Sequence, residues 1–184
     1  MHVPCTTMNR LAGAMILAVA TMSSQGQAQG VDRLAPEVVG LVTGMYPNLE
    51  TIYRDIHSHP ELGFEEVRTA ALLAAEMRTL GFQVTEKVGK TGVVAVYHNG
   101  AGPTVMVRTE LDALPMEEKT GLPYASRAKA LFNGRDTYVA PSCGHDIHMA
   151  SWIGSARALV AMKDKWQGTL VFVAQPAEEL VSGG

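Results

Sequence analysis

Thr104-Val105-Met106-Val107-Arg108-Thr109 is a short, nearly continuous apolar run, preceded by Gly100-Ala101-Gly102-Pro103. Such a run predicts a strand buried on both faces, as in parallel sheets. From Asp146 to about Lys163 the chain turns helical, with Met149, Trp152, Ile153, Ala156, Leu159 and Val160 on one side. Gly168 then precedes a second apolar run, Thr169 to Ala174. Strand, helix, strand in this order is a crossover that makes the two strands parallel neighbours and the fold α/β.

The flanking sequence extends this pattern. Residues 36–57 are periodic with apolar Val38, Val39, Leu41 and Val42, then Leu49, Ile52, Tyr53 and Ile56. Pro47 is expected to split this segment into two helices. His59-Pro60-Glu61-Leu62-Gly63 reads as a turn. A helix is predicted from about Glu65 to Leu80, ended by Gly81. Gln83–Val88 and Val93–Tyr97 are β-branched and bounded by glycines, hence strands. Residues 115–141 show little periodicity and read as a long loop or small excursion.

Ligands of open α/β sheets bind beyond the carboxyl ends of the strands. Asp112 follows one of the crossover strands, and Glu178-Glu179 follows the other. Cys143-Gly144-His145-Asp146-Ile147-His148 opens the connecting helix, which begins at that same rim. Three segments thus deliver a thiol, an imidazole and carboxylates to one place. Sulfur and imidazole suit zinc, nickel, cobalt or iron, and manganese where carboxylates dominate. One of the two adjacent glutamates can bind metal while the other serves as general base. Asp112 is read as fixing a metal-bound imidazole or standing beside the metal. His148 is expected around the ligands, and Asp146 there or as a charge favouring the helix dipole. Arg108 or Glu110 could equally form a structural ion pair. A second chemistry, with Cys143 as nucleophile, would need a base and a lowered thiol pKa. A third reading is a non-catalytic piece that binds metal weakly or a partner.

With 184 residues, 47% hydrophobic and 18% charged, the chain can bury one ordinary core. A net charge of -3 gives no reason to expect nucleic acid or anionic membrane as a partner. Arg10 precedes the apolar run Leu11–Met22, which leads into Ser23-Ser24-Gln25-Gly26-Gln27-Ala28. This is the pattern of a secretory signal over residues 1–28, cleaved after Ala28, with Met8 as a plausible start. The run falls short of the roughly 20 residues of a membrane span. The expected mature domain is 29–184, periplasmic or secreted. Cys5 would leave with the signal, so Cys143 would stand alone, and a lone thiol favours the ligand reading over a disulfide.

Five stretches in order carry a resemblance: His57-Ser-His-Pro-Glu-Leu-Gly-Phe-Glu-Glu66, Arg108-Thr-Glu-Leu-Asp-Ala-Leu-Pro115, Thr120-Gly-Leu-Pro-Tyr-Ala-Ser126, Cys143-Gly-His-Asp-Ile-His148 and Gln175-Pro-Ala-Glu-Glu179. Over about residues 50–179 the chain resembles the M20 metallopeptidases, in the branch of hippurate, N-acyl-amino-acid and indole-acetyl-amino-acid hydrolases. The resemblance implies a three-layer α/β sheet with helices on both faces, a zinc-exopeptidase-like catalytic domain. It implies two divalent ions (Zn, Mn, Ni or Co), with Cys143, His145 and Glu179 as ligands and Glu178 as catalytic base. The implied substrate is an N-acyl amino acid or a small peptide. Glu110 stands where the family usually carries aspartate, and Ala140-Pro141-Ser142 where it commonly has a histidine. Family members are much longer, with further histidine ligands and a small α+β domain through which they dimerise. The resemblance therefore implies that this chain is the N-terminal, truncated part of such an enzyme, lacking that small domain and inefficient as a hydrolase by itself.

Overall fold

The computed structural model describes residues 12–181, with side chains from Asp32 onward. Of the expected signal, residues 1–11 lie outside the described residues, as do the side chains up to 31. No helix among the described residues is long and apolar enough to cross a membrane. The described residues form two compact units, divided between Thr43 and Gly44; the second carries every residue of the candidate site.

Helix α1 (Ala12–Ser58) runs unbroken through Pro47, against the expected split. A proline inside a helix removes one backbone hydrogen bond and costs about 3 kcal/mol. Here Leu49, Ile52 and Ile56 follow within three turns and pack into the core, which offsets that loss. Helix α2 (Val67–Thr79) follows, then β1 (Gln83–Val88), β2 (Gly92–Asn99) and β3 (Thr104–Glu110). Helix α3 (His145–Ala161) leads to β6 (Gly168–Gln175). Residues 115–141 are not all loop. They hold a two-stranded hairpin, β4 (Lys129–Phe132) and β5 (Arg135–Tyr138). Its turn is Asn133-Gly134, both left-handed (φ 51° and 75°), as a tight hairpin demands.

The main sheet has the order β1-β2-β6-β3. β3 and β6 are parallel, as the crossover requires, while β1–β2 and β2–β6 are antiparallel, so the sheet is mixed. One face is buried: Val93, Ala95, Leu170, Phe172 and Ala174 meet Leu73, Ala74 and Met77 of α2, and Met149, Trp152, Ile153 and Ala156 of α3. Trp152 packs edge-on against Phe172 with centroids 5.2 Å apart, and its Nε1–H donates to the Val107 carbonyl at 3.2 Å.

Two expectations need correction. Helices cover only one face of the sheet within this unit. On the other, Val94, Val96, Val171 and Val173 are half-buried and Met106 is 65% exposed. The fold is α/β, but two layers rather than three stand among the described residues. Nor is β3 buried on both faces, because it is an edge strand whose first three residues are exposed. Valines on both faces make these strands read as doubly buried, although only one face is packed by helices.

Candidate metal centre

The rim where β3 and β6 end gathers the predicted residues. Gly144 caps α3 in a left-handed conformation (φ 93°), and His145 begins the helix, 3% exposed. Its Nδ1–H donates to the main-chain carbonyl of Asp112 at 2.8 Å. That bond leaves Nε2 facing Glu178 Oε2 at 3.7 Å and Glu179 Oε1 at 3.8 Å. An imidazole fixed through Nδ1 and turned by its Nε2 toward two carboxylates is prepared for metal ligation once that nitrogen gives up its proton.

One ligand atom each from Cys143, His145 and Glu179 lies within 4.8 Å of the others. Glu179 Oε1 is buried and has no hydrogen-bond partner. An unpaired carboxylate oxygen out of contact with water is costly, and a cation at this point would satisfy it. The donor set and the orphaned oxygen therefore fit a divalent metal ion.

Protonation follows from the same crowding. The Cys143 thiol is pushed up to about 11, first by its hydrogen bond to Glu179, then by burial and the carboxylates around it. Burial pushes His145 down, but Asp112 and Glu110 outweigh it and hold the imidazole at about 9. For Asp112 burial works upward, yet His145 and the N–H groups it accepts keep it below the usual carboxylate range. A metal entering here must displace protons from sulfur and imidazole.

Asp112 is 2% exposed and does structural work at this rim. Its Oδ1 accepts the Glu178 N–H at 3.1 Å and its Oδ2 the Glu179 N–H at 3.0 Å. It thus binds the glutamate turn and His145 together. The Glu178 side chain is 38% exposed, beside the His145 Nε2 at 3.7 Å. Glu110 accepts from Arg108 at 2.8 Å and lies 2.9 Å from His148 Nδ1, so Arg108 and Glu110 pair with each other and His148 sits on Glu110 at an exposed position. Asp146 lies under the helix start, 2.7 Å from His57 Nδ1.

Several residues went unassigned at the level of sequence. His57 Nε2 lies 3.2 Å from both oxygens of Glu118, so one buried imidazole joins Glu118 to Asp146. Glu61 accepts the N–H groups of Arg68 and Thr69 at 3.0 and 2.7 Å, closing the first turn of α2. Glu66 accepts the Ala177 N–H at 2.7 Å. Gly63 leaves room for that turn: a Cβ there would stand 3.1 Å from the Ala177 Cα and 3.0 Å from a Leu180 methyl. Ala177 itself is left-handed (φ 50°), a conformation costing an L-residue about 1–2 kcal/mol. The signal that links His57, Glu61 and Glu66 is the shared stretch 57–66, where His57 and Glu66 are buried and Glu65 stays exposed.

A buried imidazole, a thiol and paired carboxylates at the carboxyl rim of an α/β sheet define a candidate hydrolytic metal site. Comparison with known proteins agrees with that class. Residues 106–184 match the peptidase family M20/M25/M40. An N-acetyl-L-cysteine deacetylase of Bacillus subtilis is 39% identical over 133 residues, 72% of this chain and 30% of the relative. A hippurate hydrolase of Campylobacter jejuni is 37% identical over 151 residues, 82% of this chain and 36% of the relative. Among solved structures, a dinuclear metal-binding M20 peptidase of Bacillus subtilis superposes with a TM-score of 0.67 at 35% identity, covering 77% of this chain and 38% of that one. The chain belongs to the M20 peptidase family, alongside its amidohydrolase branch. It spans about a third of the length of the curated relatives it matches.

Proposed function

We propose that this chain contributes the metal-binding half-site of an amidohydrolase that cleaves N-acyl amino acids or related small peptides and conjugates. The observation that carries the reading is the buried Glu179 Oε1, which has no hydrogen bond and stands 3.8 Å from His145 Nε2 and beside the Cys143 thiol. Cys143, His145 and Glu179 would hold a divalent ion, with two ions in the complete site as in the dinuclear relative. Such an ion supplies Lewis acidity, acidifying water and polarising the amide carbonyl. Glu178 takes the proton from the attacking water and returns it to the departing nitrogen. Asp112 keeps Glu178 in reach by holding its main-chain N–H. Substrate choice in hippurate- and N-acetylcysteine-cleaving relatives supports the acyl-amino-acid class. Thiol catalysis by Cys143 is disfavoured, since a thiol held at about 11 offers little thiolate at neutral pH.

We further propose export, with residues 1–28 removed after Ala28. Mass spectrometry of the protein expressed with its own N-terminus tests it; a mature product starting elsewhere or an uncleaved chain would contradict it.

For the chemistry, calorimetric titration of the purified chain with Zn(II) and Co(II) should show binding weakened in Cys143→Ser and Glu179→Gln. Assay against N-acyl amino acids with and without chelator should give at most weak, chelator-sensitive hydrolysis. Turnover that survives chelation but not thiol alkylation would overturn the metal reading.

A further inference from the structure

Glu66 is 0% exposed, deeper than the site's own carboxylates, and both its oxygens are taken by neutral donors. Oε1 accepts the Ala177 N–H at 2.7 Å; Oε2 accepts the Thr91 hydroxyl at 2.5 Å. Thr91, in the turn joining β1 to β2, is itself buried. Glu66 also opens α2, whose first turn is closed by Glu61, so its backbone is anchored. Ala177 is 0% exposed and left-handed, the residue immediately before the two site glutamates. The next two N–H groups, of Glu178 and Glu179, go to Asp112. Three consecutive main-chain donors are therefore held by two buried carboxyl groups from different parts of the chain.

We infer that Glu66, braced by Thr91, is a positioning residue that holds Ala177 left-handed and so aims Glu178 and Glu179 into the metal centre. Desolvating a carboxyl group is costly, and here it is offset by one main-chain N–H and one hydroxyl. Without that acceptor, Ala177 relaxes toward negative φ and rotates the following residues, so the Glu179 carboxylate leaves the distance at which it meets His145 and Cys143. Gly63, which a side chain would drive into Ala177, keeps the same turn seated from the other side. The metal consequence rests on the function proposed above; the conformational one does not.

The test uses Glu66→Ala, Glu66→Gln and the double variant Glu66→Ala/Ala177→Gly in the full 184-residue chain. Carbon-13 shifts of residue 177 and Glu178 in metal-free protein report the backbone directly, and Co(II) titration reports the ligand geometry. Glu66→Ala should shift the Ala177 signals toward ordinary helical or extended values. It should also weaken Co(II) binding about 10- to 100-fold, the usual loss when a group supporting a metal ligand is removed. Glu66→Gln keeps an acceptor for the Ala177 N–H and should remain near wild type. In the double variant glycine adopts positive φ without penalty, so much of the lost affinity should return. A folded Glu66→Ala with unchanged Ala177 shifts, or a double variant with no recovery, would overturn the inference. If wild type binds no cobalt, the proposed function fails instead, and the carbon shifts alone decide the role of Glu66.

Discussion

His145 gives its Nδ1–H to the main-chain carbonyl of Asp112 at 2.8 Å, while the carboxylate of that same aspartate accepts the N–H groups of Glu178 and Glu179. A single residue, two positions past the end of β3, thus orients the imidazole with its backbone and the glutamate turn with its side chain. Replacing Asp112 by Asn would put an amide N–H₂ where a main-chain donor now points. Co(II) affinity should fall about 10- to 100-fold in Asp112→Asn with little change in helix content. Unchanged affinity would mean the turn is held by other contacts.

The close approach at Gly63 predicts a second loss. Gly63→Ala places a methyl 3.0–3.1 Å from Leu180 and Ala177 atoms, and the Ala177 backbone must shift by a few tenths of an ångström. Metal affinity should drop while circular dichroism stays that of the wild type. A variant that binds metal normally would show that the turn has slack.

Glu118 sets an acid limit on stability. Burial works to raise its pKa, but bonds from Thr120, the Ser126 N–H and His57 more than reverse it, leaving it below the ordinary 4.5. A depressed carboxylate contributes stability that is present above its unfolded value and is lost as pH falls through the folded one. Urea midpoints should therefore decline below about pH 4.5, the unfolded reference. Glu118→Gln should be less stable at neutral pH and show a flatter acid limb; an equally steep limb would assign the loss to other acids.

The uncovered sheet face and the β3 edge have a cost of their own. Met106 is 65% and Val105 50% exposed on a strand with one unpaired side, a template for aggregation. Met106→Lys should raise the concentration at which the chain stays monomeric in light scattering, without lowering its urea midpoint. Aggregation unaffected by this change would place the sticky surface elsewhere.

How much of this was legible in the sequence follows from what is local. The runs 104–109 and 169–174 announce strands by composition, and the periodic helix between them forces their parallel pairing. Cys143, His145 and Glu179 were legible because each sits beside a strand or helix end in the crossover. Whether β3 lies at an edge depends on strand order, which pairing between distant segments decides. The unbroken passage through Pro47 likewise depends on Leu49, Ile52 and Ile56 finding a core built by later residues. Asn133-Gly134 did carry a hairpin signal within a stretch that otherwise reads as loop. His57 and Glu66 were hidden for another reason: their partners lie 89 and 111 residues away, and a buried acid looks like a surface acid until its donors are known.

The most direct test of the central claim is X-ray absorption at the zinc edge of the metal-loaded chain. A centre held by Cys143, His145 and Glu179 gives one sulfur scatterer at about 2.3 Å together with nitrogen and oxygen at about 2.0–2.2 Å, the sulfur vanishing in Cys143→Ser. A spectrum with only oxygen and nitrogen neighbours, unchanged by that substitution, would contradict a centre built on Cys143, His145 and Glu179.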